Sequence, residues 1–295
     1  MAAFLLSGSN PTALRTIALA VIAMLAFAAN SLLCRLALGQ DLLDAATFTT
    51  VRMTSGALML SLIMALGRRR YTRGWPDWRP AGMLFIYMAF FSFAYLSLSA
   101  GTGALILFGA VQLTMFIFAL RNGESFPILS WVGLVMAVVG LFYLVSPGIT
   151  APDPFGAILM TIAGIAWGFY SLLGRGVADP LEATAKSFAY SVPPALMVSL
   201  FFIEELRISP YGLMLAFASG AITSGCGYVI WYAALPGLTA GRAAAIQLSV
   251  PVIAAFGGVL LLSEAVTLRL LLASVATLGG VAIVVAQRAA KLPRP

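Results

Sequence analysis

The chain has 295 residues, of which 61% are hydrophobic and 9% charged, with 17 Lys and Arg against 10 Asp and Glu and no histidine. So few charges cannot cover a soluble protein of this size, so the composition excludes the water-soluble class and points to a lipid-embedded one.

Crossing about 30 Å of hydrocarbon takes about 20 apolar helical residues. Stretches of that kind occupy 13–38, 44–66, 80–99, 102–120, 125–146, 154–174, 182–203, 210–235, 239–262 and 265–287. Each is apolar on nearly every face, which suits a bundle in lipid rather than an amphipathic surface helix. The connections are short and closed by Pro or Gly, among them Pro80, Gly101, Pro147, Pro154, Pro210, Pro236 and Gly237. None is long enough for a soluble domain. Met1–Asn10 carries no Lys or Arg and no clear cleavage site, which predicts a retained first span and not a signal peptide. The fold class is therefore an all-α integral membrane protein of ten transmembrane helices, with residues 1–150 and 151–295 as two five-helix halves of one membrane domain.

Loop charge sets the orientation. With the N-terminus in the cytoplasm, 13 of the 17 cations fall inside: Arg15, Arg68, Arg69, Arg70, Arg73, Arg79, Arg121, Arg175, Lys186, Arg242, Arg288, Lys291 and Arg294. Asp41, Asp44, Asp153, Glu204, Glu205 and Glu264 fall outside. Both termini are then cytoplasmic, and the net charge of +7 faces the anionic inner leaflet. No nucleic-acid partner is needed to explain it. Cys34 and Cys226 read as small packing residues. No cluster has metal-ligand spacing, and no cofactor is implied.

The two halves echo one another. Ser31-Leu32-Leu33-Cys34-Arg35 matches Ser171-Leu172-Leu173-Gly174-Arg175 at four of five positions, 140 residues apart. At the same offset Ala45 meets Ala185, Phe48 meets Phe188 and Gly140 meets Gly280; Gln112-Leu113-Thr114 resembles Gln247-Leu248-Ser249 at 135. Five spans is an odd number, so the second half enters the membrane from the other side. This predicts an inverted repeat around a central cavity, the basis of alternating access.

The segment from Gln247 through Pro251 to Leu262-Ser263-Glu264 resembles the Q-x-x-x-P…L-x-E signature of the EamA-type drug/metabolite transporter superfamily, over roughly residues 13–287. Within that superfamily the chain looks most like bacterial exporters of aromatic and other neutral amino acids. The resemblance implies an inner-membrane exporter with its substrate between the two halves. The first half departs from the pattern: no Pro follows Gln112 at the place of Pro251, and Glu124 comes 12 residues after Gln112, against 17 from Gln247 to Glu264.

No Asp or Glu lies near the middle of a predicted span, which disfavours an organic-cation pump and a carboxylate proton relay. Without His or an embedded nucleophile–base pair, an enzyme is not expected. A sugar-phosphate exchanger would need several cavity cations, and only Arg52 and Lys186 are near enough to being embedded; both are read first as snorkelling to an interface. The candidate substrate-binding residues are Asn30, Tyr87, Phe91, Tyr95, Gln112, Trp167, Tyr170, Tyr228 and Gln247. The buried amides must be hydrogen-bonded, either to another helix or to a ligand. The aromatics either line a cavity or form an interfacial belt, the belt suiting Tyr95, Trp231 and Tyr232. Pro193, Pro194 and Pro251 predict kinks, and Gly133 and Gly140 close helix packing. The expected function is export of zwitterionic amino acids such as Phe, Trp, Met and Thr, driven by the substrate gradient. The alternative is export of lipophilic drugs or other small metabolites, with or without proton coupling. A monomer in the bilayer is compatible with everything above.

Overall fold

The computed structural model describes residues 13–69, 71–72, 77–174, 177–238 and 240–291; the side chains of 240–241 and 288–291 are excluded. Arg70, Arg73, Arg175 and Arg294, used above for orientation or for the repeat, lie outside the described residues. Among the described residues the only regular structure is helical: α1 (Ala13–Gly39), α2 (Ala45–Leu66), α3 (Trp78–Ala94), α4 (Ala100–Arg121), α5 (Ile128–Val145), α6 (Pro154–Leu173), α7 (Pro180–Phe201), α8 (Pro210–Gly237), α9 (Ala240–Gln247 and Ser249–Leu262) and α10 (Leu268–Lys291). Eight of these helices are long and apolar enough to cross a membrane; α3, with 17 residues, and the more polar α7 are the two others.

Aspartates open four helices. Asp44, Asp77, Asp153 and Asp179 accept backbone N–H groups in the first turns of α2, α3, α6 and α7, satisfying donors that have no intrahelical partner. Serines do the same for α4 (Ser99) and α8 (Ser209). The outer faces carry large apolar side chains such as Phe142, Phe201, Phe256 and Val275, all largely exposed, a surface suited to hydrocarbon.

Two helices depart from regular geometry. Residues Ala218–Cys226 of α8 form a π-helix between two α-helical pieces, a bulge that is frequent at functional sites. In α9 the helix is interrupted at Leu248. Pro251 sits in the first turn of the second piece, where its missing N–H costs nothing but leaves the Gln247 carbonyl without its i+4 donor. The kink expected of Pro251 is thus a break three residues before it. In α7 the helix runs unbroken through Pro193 and Pro194.

The largest helix contacts pair α3 with α6 and α1 with α8; α4 with α6 and α1 with α9; α2 with α8 and α3 with α7; and α2 with α7, α4 with α9 and α5 with α10. The α5–α10 contact is glycine-mediated: a Cβ on Gly140 would meet Thr277, and one on Gly280 would meet Gly133 and Ala137. This bears out the packing role expected of Gly133 and Gly140. At one end of the bundle the α1–α2 and α7–α8 connections join through a bridge between Leu43 and Ile208 and the bond Asp44 N→Arg207 O at 3.2 Å. At the other end, Arg69 pairs with Asp179 at 2.9 Å, and Glu182 accepts the Thr72 N–H at 2.7 Å.

Candidate functional site

A cavity of about 360 Å³ lies between the halves, within the range of roughly 300–1,000 Å³ that holds small organic molecules. Its walls come from α1, α3, α4, α6, α8 and α9, with Pro180 at the start of α7 reaching one end. Trp167 on α6 is the hub. Its ring stacks on Tyr170 at 5.3 Å and on Tyr228 at 5.4 Å, and meets Tyr87 at 4.8 Å. Phe91 stands edge-on to Tyr87 at 5.4 Å, and Phe27 edge-on to Tyr228 at 5.7 Å. Spacings of three and four residues put Trp167 and Tyr170, and Tyr87 and Phe91, on single helix faces. Each ring pair adds about 0.5–1.5 kcal/mol beyond burial, so the box is held in shape before any ligand arrives.

Polar groups interrupt this box on one side. The Asn30 Oδ1 accepts the Ser219 hydroxyl at 2.5 Å and the Thr223 hydroxyl at 3.3 Å. Both donors stand on the π-helix, four residues apart. Ser224, next in that helix, accepts from Arg52 Nε at 3.4 Å. The π-helix can lie this close to α2 because Gly220 has no side chain; a Cβ there would meet the Arg52 carbonyl and the Ser55 hydroxyl.

Of the nine candidate residues, Asn30, Tyr87, Phe91, Trp167, Tyr170, Tyr228 and Gln247 line the cavity. Tyr95 and Gln112 do not. Tyr95 is fully buried behind Phe91, its hydroxyl donating to the Ala100 carbonyl at 3.3 Å and its ring filling the space left by Gly103. The reason for Gln112 is register. The 140-residue shift that relates Arg35 to Arg175 also carries the start of α4, Ala100, onto the start of α9, Ala240. It pairs Gln247 with Leu107, and both line the cavity; the 135-residue match with Gln112 is off this register. Trp231 and Tyr232, read first as belt residues, line the cavity too, together with Phe27, Phe108, Met115 and Ser31.

Arg52 is the largest correction. It does not snorkel: it is 0% exposed, seven residues and so about 10 Å along α2 from its start. Its Nη2 donates to the Tyr87 hydroxyl at 3.1 Å, and its guanidinium lies 4.8 Å from the Phe91 ring centre and 5.4 Å from that of Tyr87. Its Nη1 has no partner, and none of the ion pairs among the described residues includes it. Lys186, by contrast, stays at the surface, paired with Glu182 at 2.7 Å.

The cavity reaches the bundle end that carries Gly174, Val177, Pro180 and Leu235. The opposite end is shut. There Glu264 accepts the Ala100 N–H at the start of α4 (3.1 and 2.9 Å to its two oxygens) and pairs with Arg35 at 3.2 Å. Arg35 Nη1 also donates to the carbonyls of Tyr95 and Leu96, at 3.0 and 3.1 Å, where α3 ends. Asp153 adds a bond from Ser97 at 2.9 Å; the Gly156 N–H and this hydroxyl hold its carboxyl below the usual range.

A bundle with eight membrane-length helices around a ligand-sized cavity that opens at one end fits a membrane transporter. The chain belongs to the EamA-like transporter family, whose model matches twice, over residues 14–146 and 154–286. It is 49% identical over 280 residues to an uncharacterized protein of Pseudomonas aeruginosa, covering 95% of this chain and 98% of that one. An uncharacterized transporter of Archaeoglobus fulgidus is 23% identical over 247 residues (81% and 88% covered), and the uncharacterized inner membrane transporter YedA of Escherichia coli K12 is 32% identical over 82 residues (28% and 27%). A solved crystal structure shares the fold with a TM-score of 0.62 and 18% identity, covering 90% of this chain and 98% of its own.

Proposed function

We propose that the protein exports amino acids with aromatic or other apolar side chains, such as Phe, Trp and Met, and also Thr, across the bacterial inner membrane by alternating access. The observation that carries this reading is the Trp167-centred box of stacked rings with a hydroxyl and amide rim on one side. Ring faces suit an apolar side chain and attract an ammonium; the rim suits the polar end. Ten crossings as two inverted halves belong to the same reading. The largest helix contacts support it: exchanging each helix of α1–α5 with its counterpart in α6–α10 turns six of the pairs named above into one another and the other three into themselves. The matched Gly140–Thr277 and Gly280–Ala137 contacts, related by the same 140-residue shift, support it as well. The cation bias supports a cytoplasmic mouth for the cavity.

The test is uptake of labelled Phe, Trp, Met and Thr by proteoliposomes of the pure protein. Trp167→Ala is expected to cut transport at least tenfold while the protein stays monodisperse. Equilibration without an ion gradient is expected, because among the described residues no carboxylate or histidine lines the cavity to carry a proton. Movement of lipophilic drugs but of no amino acid would replace this substrate class by the other. Orientation has its own check, in a background with both native cysteines changed to serine. Arg207→Cys is expected to react with an impermeant maleimide from the periplasm, and Arg121→Cys only after the membrane is permeabilised. The reverse pattern would refute the topology.

A further inference from the structure

We propose that Arg52 is the carboxylate anchor of the transported solute, acting from behind the cavity wall through the hydroxyls of Tyr87 and Ser224. The proposal rests on the reading of the cavity as the substrate site and adds a chemical requirement to it.

A charge removed from water and lipid alike is retained where something of opposite sign meets it. No protein carboxylate does so for Arg52 among the described residues. Two of its donors are used, and the groups they reach are both cavity-lining hydroxyls, Tyr87 at 3.1 Å and Ser224 at 3.4 Å. The direction of those bonds matters. Each hydroxyl oxygen accepts from the guanidinium, so its own proton is left to donate. Neither donates to a protein acceptor among the described residues. The positive charge is thereby passed one layer inward as two oriented O–H donors, with Nη1, buried and unpartnered, in reserve behind them. Hydrogen bonds from a group polarised by a charge are the strong kind, and they favour an anionic acceptor.

The cavity also limits that anion. Among the described residues no Lys or Arg lines it, and the one cation behind the wall matches a single negative charge. The adjoining surfaces are the rings of Phe91 and Trp167, both of which line the cavity and accommodate the apolar remainder of the solute. The geometry therefore points to monocarboxylates bearing a ring or a long apolar group, of which zwitterionic aromatic amino acids are one kind.

Calorimetry on the purified protein in nanodiscs tests this, with four probes: phenylalanine, its amide, phenethylamine and 3-phenylpropionate. Wild type is expected to bind the two carboxylates roughly 100-fold more tightly than the two compounds lacking one. Arg52→Gln should remove that preference while leaving phenethylamine binding within about twofold, a difference that global damage would not produce. Tyr87→Phe and Ser224→Ala keep the charge in place and should each weaken only the carboxylates, by roughly fivefold. These two carry the test if Arg52→Gln does not fold. Equal weakening of all four probes by these variants, or no weakening, would overturn the anchor. Phenylalanine binding that is indifferent to Arg52 would leave amino-acid transport standing and remove this inference. Arg52-dependent binding of 3-phenylpropionate with none of phenylalanine would do the opposite. Failure of every carboxylate to bind overturns both.

Discussion

Glu264→Gln is expected to unlatch the closed end of the bundle and raise the population open on that side by roughly 30-fold. Glu264 joins three helices there. It ends α9, accepts the first N–H of α4 on both oxygens, and holds Arg35, whose other donors grip the carbonyls at the end of α3. The local backbone is shaped for this. Ser263 takes a left-handed conformation, φ 54°, which turns the chain back, and the Glu264 N–H bonds the Gly258 carbonyl at 3.0 Å. A Cβ on Gly258 would meet the Glu264 carboxylate, so glycine leaves room for it. Gln keeps the size and can still accept one bond, but it loses the attraction for Arg35 and for the positive end of α4. The side chains of Arg35 and Glu264 are 25% and 15% exposed, so the loss is set at about 2 kcal/mol, between an exposed and a buried pair, which is the 30-fold shift. The readout is alkylation of Ser31→Cys, a cavity position one turn from Arg35, by an impermeant maleimide added to intact cells lacking the native cysteines. An unchanged rate in Glu264→Gln would remove the latch from the mechanism.

Much of this site is visible in the residues themselves. The helices follow from length and apolarity, and Trp167, Tyr170, Tyr87 and Phe91 follow from spacing, because helical periodicity alone puts them on shared faces. What spacing does not give is the rotational phase of a helix that is apolar on every side. Trp231 and Tyr232, three and four residues after Tyr228, each share a face with it just as plainly, yet whether that face meets lipid or the cavity depends on how α8 packs on α1. The same holds for Arg52. An arginine near a helix end snorkels unless a neighbouring helix covers it, and the cover here comes from residues 35 and 172 positions away, Tyr87 and Ser224. The π-helix that brings Ser219, Thr223 and Ser224 to α1 and α2 has no local motif beyond its small residues. Gln112 falls outside the cavity for a different reason: its short local similarity to Gln247 conflicts with the longer register, in which Glu124 and Glu264 stand 140 residues apart just as Arg35 and Arg175 do.

Gly220→Leu is expected to abolish accumulation of folded protein, and Gly220→Ala to cost about 1–3 kcal/mol. At this point α8 lies on the backbone of α2, and the added carbon would fall on the Arg52 carbonyl, a fixed atom within the α2 helical hydrogen bonds and not the free end of a flexible side chain. On the other side of the crossing a Cβ on Gly56 would lie 3.2 Å from the Gly220 carbonyl, so the two backbones are close from that side as well. Neither helix can therefore yield toward the other. The only relief is separation, and separation draws Ser224 away from Arg52 and Ser219 and Thr223 away from Asn30. Gly220→Ala should then show two linked effects: lower thermal stability and loss of discrimination between carboxylate and amine probes. Gly82→Ala is the control, because nothing lies within 4 Å of a Cβ added there, and a helix-favouring alanine at an open site should leave stability equal or slightly raised. Thermal unfolding in detergent, monitored by tryptophan fluorescence, measures the first effect and probe binding the second. If Gly220→Ala matched Gly82→Ala in both, the close crossing of α2 and α8 would not be what holds the polar side of the cavity together.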